Sequence, residues 1–308
     1  MKVLVTANSF GKYDGQARTT LERHGFERFD NPYGRIMNEK EFSSAIQGMD
    51  IVILGTELLD KEVIEKADTL KFVSRYGVGT DNMDLAELKR RNIGFAVARN
   101  CNSQAVADYT IGLMLDALRG ISLSTRNLYE GKWEKVVGPD LYKKTVGIIG
   151  LGSIGMGVAK RLSGFDCKVL GYDVRFDHAG CQHYHVQEAS LEEIYQQADI
   201  ITLHLPALPN DKALIGEKEI CRMKHNVVLI NTARTSLIDA DALIAGLQSG
   251  KVFAGASDAQ LRFTQIDQRY HNLDRFTLTP HNAAVSLEAS IKMSEMAVEN
   301  ILNYFQVR

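Results

Sequence analysis

Between Gly150 and Gly155 the residues Gly-Leu-Gly-Ser-Ile-Gly have the spacing Gly-x-Gly-x-x-Gly. They follow the apolar run Val146-Gly-Ile-Ile149 and precede a helix-patterned stretch from Met156 to Ser163. Strand, glycine loop and helix in that order form a cradle for the pyrophosphate of a dinucleotide. Gly150 makes the tight turn, Gly152 lets the main chain approach the phosphates, and Gly155 lets the helix close on the strand. The amides of Ser153 and Ile154 then stand at the positive end of the helix and can donate to phosphate oxygens. Eighteen residues beyond Gly155 (173 − 155 = 18), the run Lys168-Val-Leu-Gly-Tyr172 ends in Asp173. A carboxylate there accepts from ribose hydroxyls and repels a 2′-phosphate, so NAD is expected over NADP. Arg175, two positions later, weakens that exclusion.

Elements of fixed kinds must position this loop. Strand-like runs alternate with helix-patterned segments almost throughout, which predicts an α/β fold with parallel sheets. In the first hundred residues strands are expected at 2–6, 26–29, 50–54, 71–74 and 94–97, with helices such as Glu39–Gln47 and Asp60–Lys66 between them. A long helix should run from Asn102 to Arg119, opened by Asn-Ser and closed by Gly120. A second series follows, with strands at 145–149, 167–172, 199–203, 226–230, 252–256 and 276–278, and predicts a separate six-stranded sheet. Leu287 to Gln306 repeats apolar residues at helical spacing and must pack on something.

Composition excludes several classes. A net charge of −2 over 308 residues argues against a protein that coats nucleic acid or an anionic membrane surface. The longest apolar runs are strand-length, far short of the ~20 residues that span a bilayer, so no membrane segment is expected. Met1-Lys-Val-Leu-Val-Thr6 lacks the apolar stretch of a secretory signal. Cysteines 101, 167, 181 and 221 form no Cys-x-x-Cys pair, which predicts reduced thiols and a cytoplasmic setting. His178, Cys181, His183 and His185 are expected in a solvated loop rather than around a metal.

Several further motifs carry a resemblance. Arg75-Tyr-Gly-Val-Gly-Thr-Asp-Asn-Met-Asp84, Asn102-Ser-Gln-Ala-Val-Ala-Asp108, Leu203-His-Leu-Pro206, Asn231-Thr-Ala-Arg-Thr235, Ala256-Ser-Asp258 and Leu278-Thr-Pro-His-Asn-Ala-Ala284 occur in that order. Together with the glycine loop they cover nearly the whole chain, which resembles the D-isomer-specific 2-hydroxyacid dehydrogenases, particularly their phosphoglycerate dehydrogenase branch. The resemblance implies two Rossmann-like or flavodoxin-like parallel-sheet domains with an active-site cleft between them. Residues 1–100 and 285–308 would form a discontinuous substrate domain, and residues 101–284 an NAD-binding domain that includes a hinge helix and a dimer arm. It implies a homodimer formed around residues 102–145, where Trp133 is either an interface anchor or a core residue. Longer relatives carry a C-terminal regulatory domain, which a chain ending at Arg308 is expected to lack.

The resemblance also assigns roles. Hydride transfer at C2 of a 2-hydroxy acid needs a base for the hydroxyl proton and a cation for the neighbouring carboxylate. Arg234 matches the family's catalytic arginine, and its planar fork suits a carboxylate. His281 matches the acid/base. The amides of Val78 and Gly79 match the groups that bind the substrate carboxylate, Asp258 the acceptor for the nicotinamide carboxamide, and Pro206, Thr232 and Ala233 the lining of the cofactor side. Arg75 matches an arginine that helps receive a distal phosphate, which favours a small anionic substrate with more than one charge, such as 3-phosphoglycerate. Glyoxylate, hydroxypyruvate and sugar-acid phosphates remain alternatives.

One position departs from the pattern. The family's glutamate beside the catalytic histidine would fall at position 263, which is Phe, and only Gln260 or Gln265 offers a substitute. Without that charge His281 should lose its proton more readily, so reduction of 2-oxo acids is expected to persist only to a comparatively low pH. The same departure supports the alternative of a catalytically weakened NAD-binding sensor, against which the retention of both Arg234 and His281 speaks.

Overall fold

The computed structural model describes residues 1–259 and 266–307. Position 263 and the two glutamines flanking it lie outside the described residues. The chain divides into two compact units, Met1–Asn102 with Ala284–Arg308, and Ser103–Ala283.

The first unit alternates β1 (Lys2–Val5), α1 (Gln16–Arg23), β2 (Glu27–Asp30), α2 (Glu39–Ala45), β3 (Ile51–Leu54), α3 (Lys61–Lys66), β4 (Phe72–Arg75), α4 (Leu85–Arg90) and β5 (Gly94–Val97). Its strands are all parallel in the order β2-β1-β3-β4-β5. Crossover helices cover both faces of such a sheet, which is why β3, Ile-Val-Ile-Leu, is apolar at every position and wholly buried. Helix starts are set locally: Asn38 and Glu41 cap α2 reciprocally, and the Asp60 carboxylate accepts the Val63 amide at the head of α3. The chain's last helix, Leu287–Phe305, returns to this unit and packs on β4, β5 and α1. Ser74 Oγ donates to the Ala297 carbonyl at 2.9 Å and Tyr76 Oη to the Ser290 carbonyl at 2.9 Å. Phe72 and Tyr304 stack with ring centroids 4.3 Å apart, a contact worth about 1 kcal/mol beyond the area it buries.

The second unit begins with α5 (Ser103–Arg119), ended by Gly120 at φ 61°, and α6 (Ile121–Tyr129). Then come β6 (Thr145–Ile149), α7 (Ser153–Leu162), β7 (Lys168–Tyr172), α8 (His178–His183), β8 (Val186–Glu188), α9 (Leu191–Gln197), β9 (Ile200–Leu203), α10 (Glu217–Arg222), β10 (Val227–Asn231), α11 (Ala240–Gln248), β11 (Val252–Ser257) and β12 (Phe276–Leu278). The helix Leu287–Phe305 is α12. The sheet has seven parallel strands in the order β12-β11-β10-β9-β6-β7-β8, not the six that the sequence suggests. The extra strand, β8, buries only Val186 and exposes its other two residues, so it leaves almost no pattern to read. The expectation of a loop through His178 is likewise corrected: Asp177 accepts the Gly180 amide and caps the short helix α8. Both faces of the sheet are covered by apolar clusters, one including Met114, Val158 and Leu162, the other Ile194, Ile220 and Ile244.

Candidate active site

In an open α/β sheet a ligand crevice forms at the carboxyl ends of the strands, where two neighbouring strands send their chains in opposite directions. In the second unit that divergence falls between β6 and β9. Gly150 follows β6 directly and His204 follows β9. A Cβ on Gly150 would lie 2.4 Å from the His204 carbonyl oxygen, and Gly150 has φ +96°, so glycine is required on both counts. A Cβ on Gly155 would lie 2.0 Å from the Gly150 carbonyl oxygen, so α7 sits directly on the turn. Gly152 differs: a Cβ there would meet nothing within 4 Å. Gly150 and Gly155 thus serve the fold, while Gly152 leaves open space at the head of the ten-residue α7, beside Ser153 and Ile154. That space beside main-chain amides fits a dinucleotide pyrophosphate.

Asp173, at the end of β7, accepts the Leu151 amide at 2.7 Å through Oδ2 and the Arg175 amide at 2.9 Å through Oδ1. Its carboxylate is thereby tied to the glycine loop. A carboxylate has about four acceptor positions, which leaves capacity for ribose hydroxyls.

The other sequence-predicted residues of this unit follow the ends of neighbouring parallel strands and share one edge of the sheet. Pro206 lies after β9, Thr232 to Arg234 after β10, Asp258 after β11 and His281 after β12. Asn231 shapes the β10 turn: its Oδ1 accepts the Ala233 amide at 3.0 Å and its Nδ2 donates to the Arg234 carbonyl at 2.8 Å. The Arg234 guanidinium donates back to the Ala233 carbonyl at 2.8 Å. Thr232 Oγ1 lies 3.1 Å from Thr110 Oγ1, tying the turn to α5. Asp258 is buried and accepts three hydrogen bonds, from the Thr279 hydroxyl and from the amides of Asn282 and Ala283. It grips the chain on both sides of His281, whose φ of +56° is uncommon for a residue with a side chain.

His204 and Asn231 are not singled out by the sequence, although both lie in quoted motifs. The His204 imidazole is held between Thr202 Oγ1, 2.9 Å from Nε2, and Thr232 Oγ1, 3.4 Å from Nδ1. Burial pushes it down to about 3, so it stays neutral. Its importance comes from lying beside Gly150, which only the strand order reveals.

In the first unit Arg75 ends β4, and the turn Gly77-Val78-Gly79 follows. Arg75 Nε donates to the Gly79 carbonyl at 2.9 Å, and Nη1 donates to the carbonyls of Leu54 at 3.2 Å and Tyr76 at 2.5 Å. A Cβ on Gly77, at φ +140°, would approach Arg75 Nη1 to 3.1 Å. The guanidinium therefore braces the turn from beneath, while Val78 is exposed at its tip. Arg35 makes a two-pronged surface pair with Glu41 at 2.7 and 2.8 Å.

The family model for the NAD binding domain of D-isomer specific 2-hydroxyacid dehydrogenases matches residues 111–283. The chain is 36% identical over 270 residues to D-3-phosphoglycerate dehydrogenase of Methanocaldococcus jannaschii, an alignment covering 86% of this chain and 51% of that protein. It is 33% identical over 261 residues to glyoxylate reductase of Thermofilum pendens, covering 82% of this chain and 77% of that protein. A crystal structure of a Thermus thermophilus protein matches with a TM-score of 0.88 at 28% identity, over 100% of this chain and 98% of the other. The chain spans about half the length of the archaeal phosphoglycerate dehydrogenases that it matches. Among the described residues no helix is long and apolar enough to cross a membrane.

Proposed function

The chain belongs to the D-isomer specific 2-hydroxyacid dehydrogenase family, and from that premise we propose that it is an NAD-dependent oxidoreductase interconverting a small 2-hydroxy acid and its 2-oxo acid. One observation carries the reading: Arg234 and His281 follow β10 and β12, on the same sheet edge as the glycine loop. When bound, the nicotinamide supplies or accepts the hydride at C2. The chain's own groups do the rest. In the reductive direction the Arg234 guanidinium holds the substrate carboxylate and polarises the C2 oxygen, and His281 delivers the proton that oxygen needs. In oxidation His281 takes the hydroxyl proton. The amides of Val78 and Gly79 receive the substrate carboxylate, and Arg75 serves them by fixing the turn. Asp258 holds the chain at His281, Ser153 and Ile154 would hold the pyrophosphate of a bound NAD, and Asp173 would accept from its ribose hydroxyls. The working assembly is a homodimer.

The test is NADH-dependent reduction of glyoxylate, hydroxypyruvate and other short 2-oxo acids, followed by absorbance of the reduced nicotinamide. Arg234→Ala should lower kcat by about 10²–10³-fold, while NADH still binds by fluorescence titration. A wild-type protein that turns over no 2-oxo or 2-hydroxy acid, or an Arg234→Ala protein with retained turnover, would sink the reading.

A further inference from the structure

The first unit has a strand divergence of its own, between β1 and β3, so a ligand crevice belongs at the carboxyl ends of those two strands. Thr6 follows β1 there, and Gly55 to Glu57 follow β3. These residues are joined in a relay. The Gly55 amide donates to Thr6 Oγ1 at 2.7 Å, and the Thr6 hydroxyl donates to Glu57 Oε2 at 2.5 Å. The Met37 amide reaches Glu57 Oε1 at 3.3 Å, and Asn82 Nδ2 donates to the main-chain oxygens of Gly55 at 3.1 Å and Glu57 at 2.7 Å. Glu57 is only 2% exposed.

A buried carboxylate is costly unless its environment compensates it. Burial raises the Glu57 carboxyl above its ordinary range, and the Thr6 hydroxyl, the Met37 amide and the Arg75 charge oppose that rise. Arg75 is itself buried, and its Nη1 bonds the carbonyl of Leu54, the residue before Gly55. The Arg75 charge is the weakest of those opposing influences, and Arg75 already commits N–H groups to three carbonyls of its own surroundings, whereas both Glu57 oxygens accept hydrogen bonds as a carboxylate does. A second anionic group on a substrate that approached this crevice would meet a fixed negative charge and a cation already spoken for.

We propose that Glu57 is a specificity-determining residue that occupies the first unit's crevice with a fixed negative group and so restricts the substrate to short 2-oxo and 2-hydroxy acids with a single anionic group. This rests on the dehydrogenase reading above. It selects against a distal phosphate or a second carboxylate, through repulsion rather than through lack of room.

The experiment compares kcat/KM for glyoxylate, hydroxypyruvate and the 3-phosphorylated form of hydroxypyruvate, with NADH, for wild type and Glu57→Gln. Wild type should favour the better unphosphorylated acid over the phosphorylated one by about 10-fold or more. Glu57→Gln should narrow that ratio by about 10-fold, chiefly through KM for the phosphorylated acid. Wild-type preference for the phosphorylated acid overturns the assignment. So does an equal loss on all three substrates in Glu57→Gln, which would mark a purely structural carboxylate. If Glu57→Gln does not fold, the wild-type panel decides. Turnover of none of the three by wild type would instead overturn the dehydrogenase reading, and the assignment with it.

Discussion

The amide of Asn282 donates to Asp258 Oδ1 at 2.8 Å, so the residue that follows His281 is anchored to a buried carboxylate. Ala283 donates to the other oxygen at 2.7 Å. By its family resemblance Asp258 would contact the nicotinamide carboxamide, whereas its hydrogen bonds give it a grip on the chain that presents His281. The two roles separate in Asp258→Asn, which turns one acceptor into an N–H donor facing a main-chain N–H. Loss of the grip should cost about 2–4 kcal/mol of stability and lower kcat about 10-fold or more while KM for NADH moves little. A rise in KM for NADH with kcat retained would favour the carboxamide contact instead. Urea denaturation and steady-state kinetics on the same preparation check both.

The glycine loop allows a sharper experiment, because its glycines face different surroundings. Gly150→Ala forces a side chain onto φ +96° and 2.4 Å from the His204 carbonyl oxygen, so the protein should lose about 2–4 kcal/mol of stability. Gly152→Ala adds a methyl group where nothing lies within 4 Å, at an ordinary φ of −68°. It should fold with a stability within about 0.5 kcal/mol of wild type yet bind NADH about 10-fold more weakly. Unchanged NADH affinity in Gly152→Ala would mean that the open space at α7 is not where the pyrophosphate lies.

How much of this was legible beforehand depends on the range over which each signal acts. The strand before Gly150 and the helix after it are adjacent in sequence, so the loop could be read whole. β3 and β10 announced themselves because a parallel strand buried on both faces has little choice but to be apolar. Glu57 could not be read. Within Gly-Thr-Glu-Leu it has the look of a surface acid, and its meaning arises only when β1 lies beside β3 and brings Thr6 to it across 51 positions. His204 is similar: its place beside Gly150 follows from the pairing of β6 with β9, which no local pattern encodes. Arg75 was legible as a motif residue, but of the three carbonyls that occupy it only those of Tyr76 and Gly79 belong to the motif, and the third, Leu54, ends β3 and reaches it through the pairing of β3 with β4.

Glu57 also has a consequence for pH that is independent of turnover. Burial raises its carboxyl from the ordinary 4.5, so the folded protein holds that proton more tightly than the unfolded chain. The contribution is fully present below the ordinary value and is lost as pH climbs through the raised one. Glutamine carries no such proton. The stability of Glu57→Gln relative to wild type should therefore increase from about pH 4.5 toward neutrality, measured by urea denaturation at several pH values. If wild type instead gained on the variant over that interval, the hydrogen bonds from Thr6 and Met37 together with the Arg75 charge would outweigh burial, and the direction assigned to Glu57 would be wrong.

The arm between α5 and β6 has the character of an interface. α6 has no buried residue, and a nine-residue helix gains little from hydrogen bonding alone. Tyr129, Trp133 and Val137 are 86%, 87% and 82% exposed, so Trp133 is not a core residue of its own chain. So large an apolar display within nine positions is unusual for a monomer, and the homodimer proposed above would cover it with a second copy of the chain. Tryptophan and tyrosine at the centre of such a contact commonly carry about 2 kcal/mol or more each. Sedimentation equilibrium of wild type should give twice the 34.3 kDa of the chain. The double variant Tyr129→Ala, Trp133→Ala should raise the dimer dissociation constant by about 100-fold or more, with the fold retained by circular dichroism, because neither side chain is buried within the protomer. A wild-type mass of one chain at micromolar concentration, or a double variant that dimerises as tightly as wild type, would remove this arm from the interface.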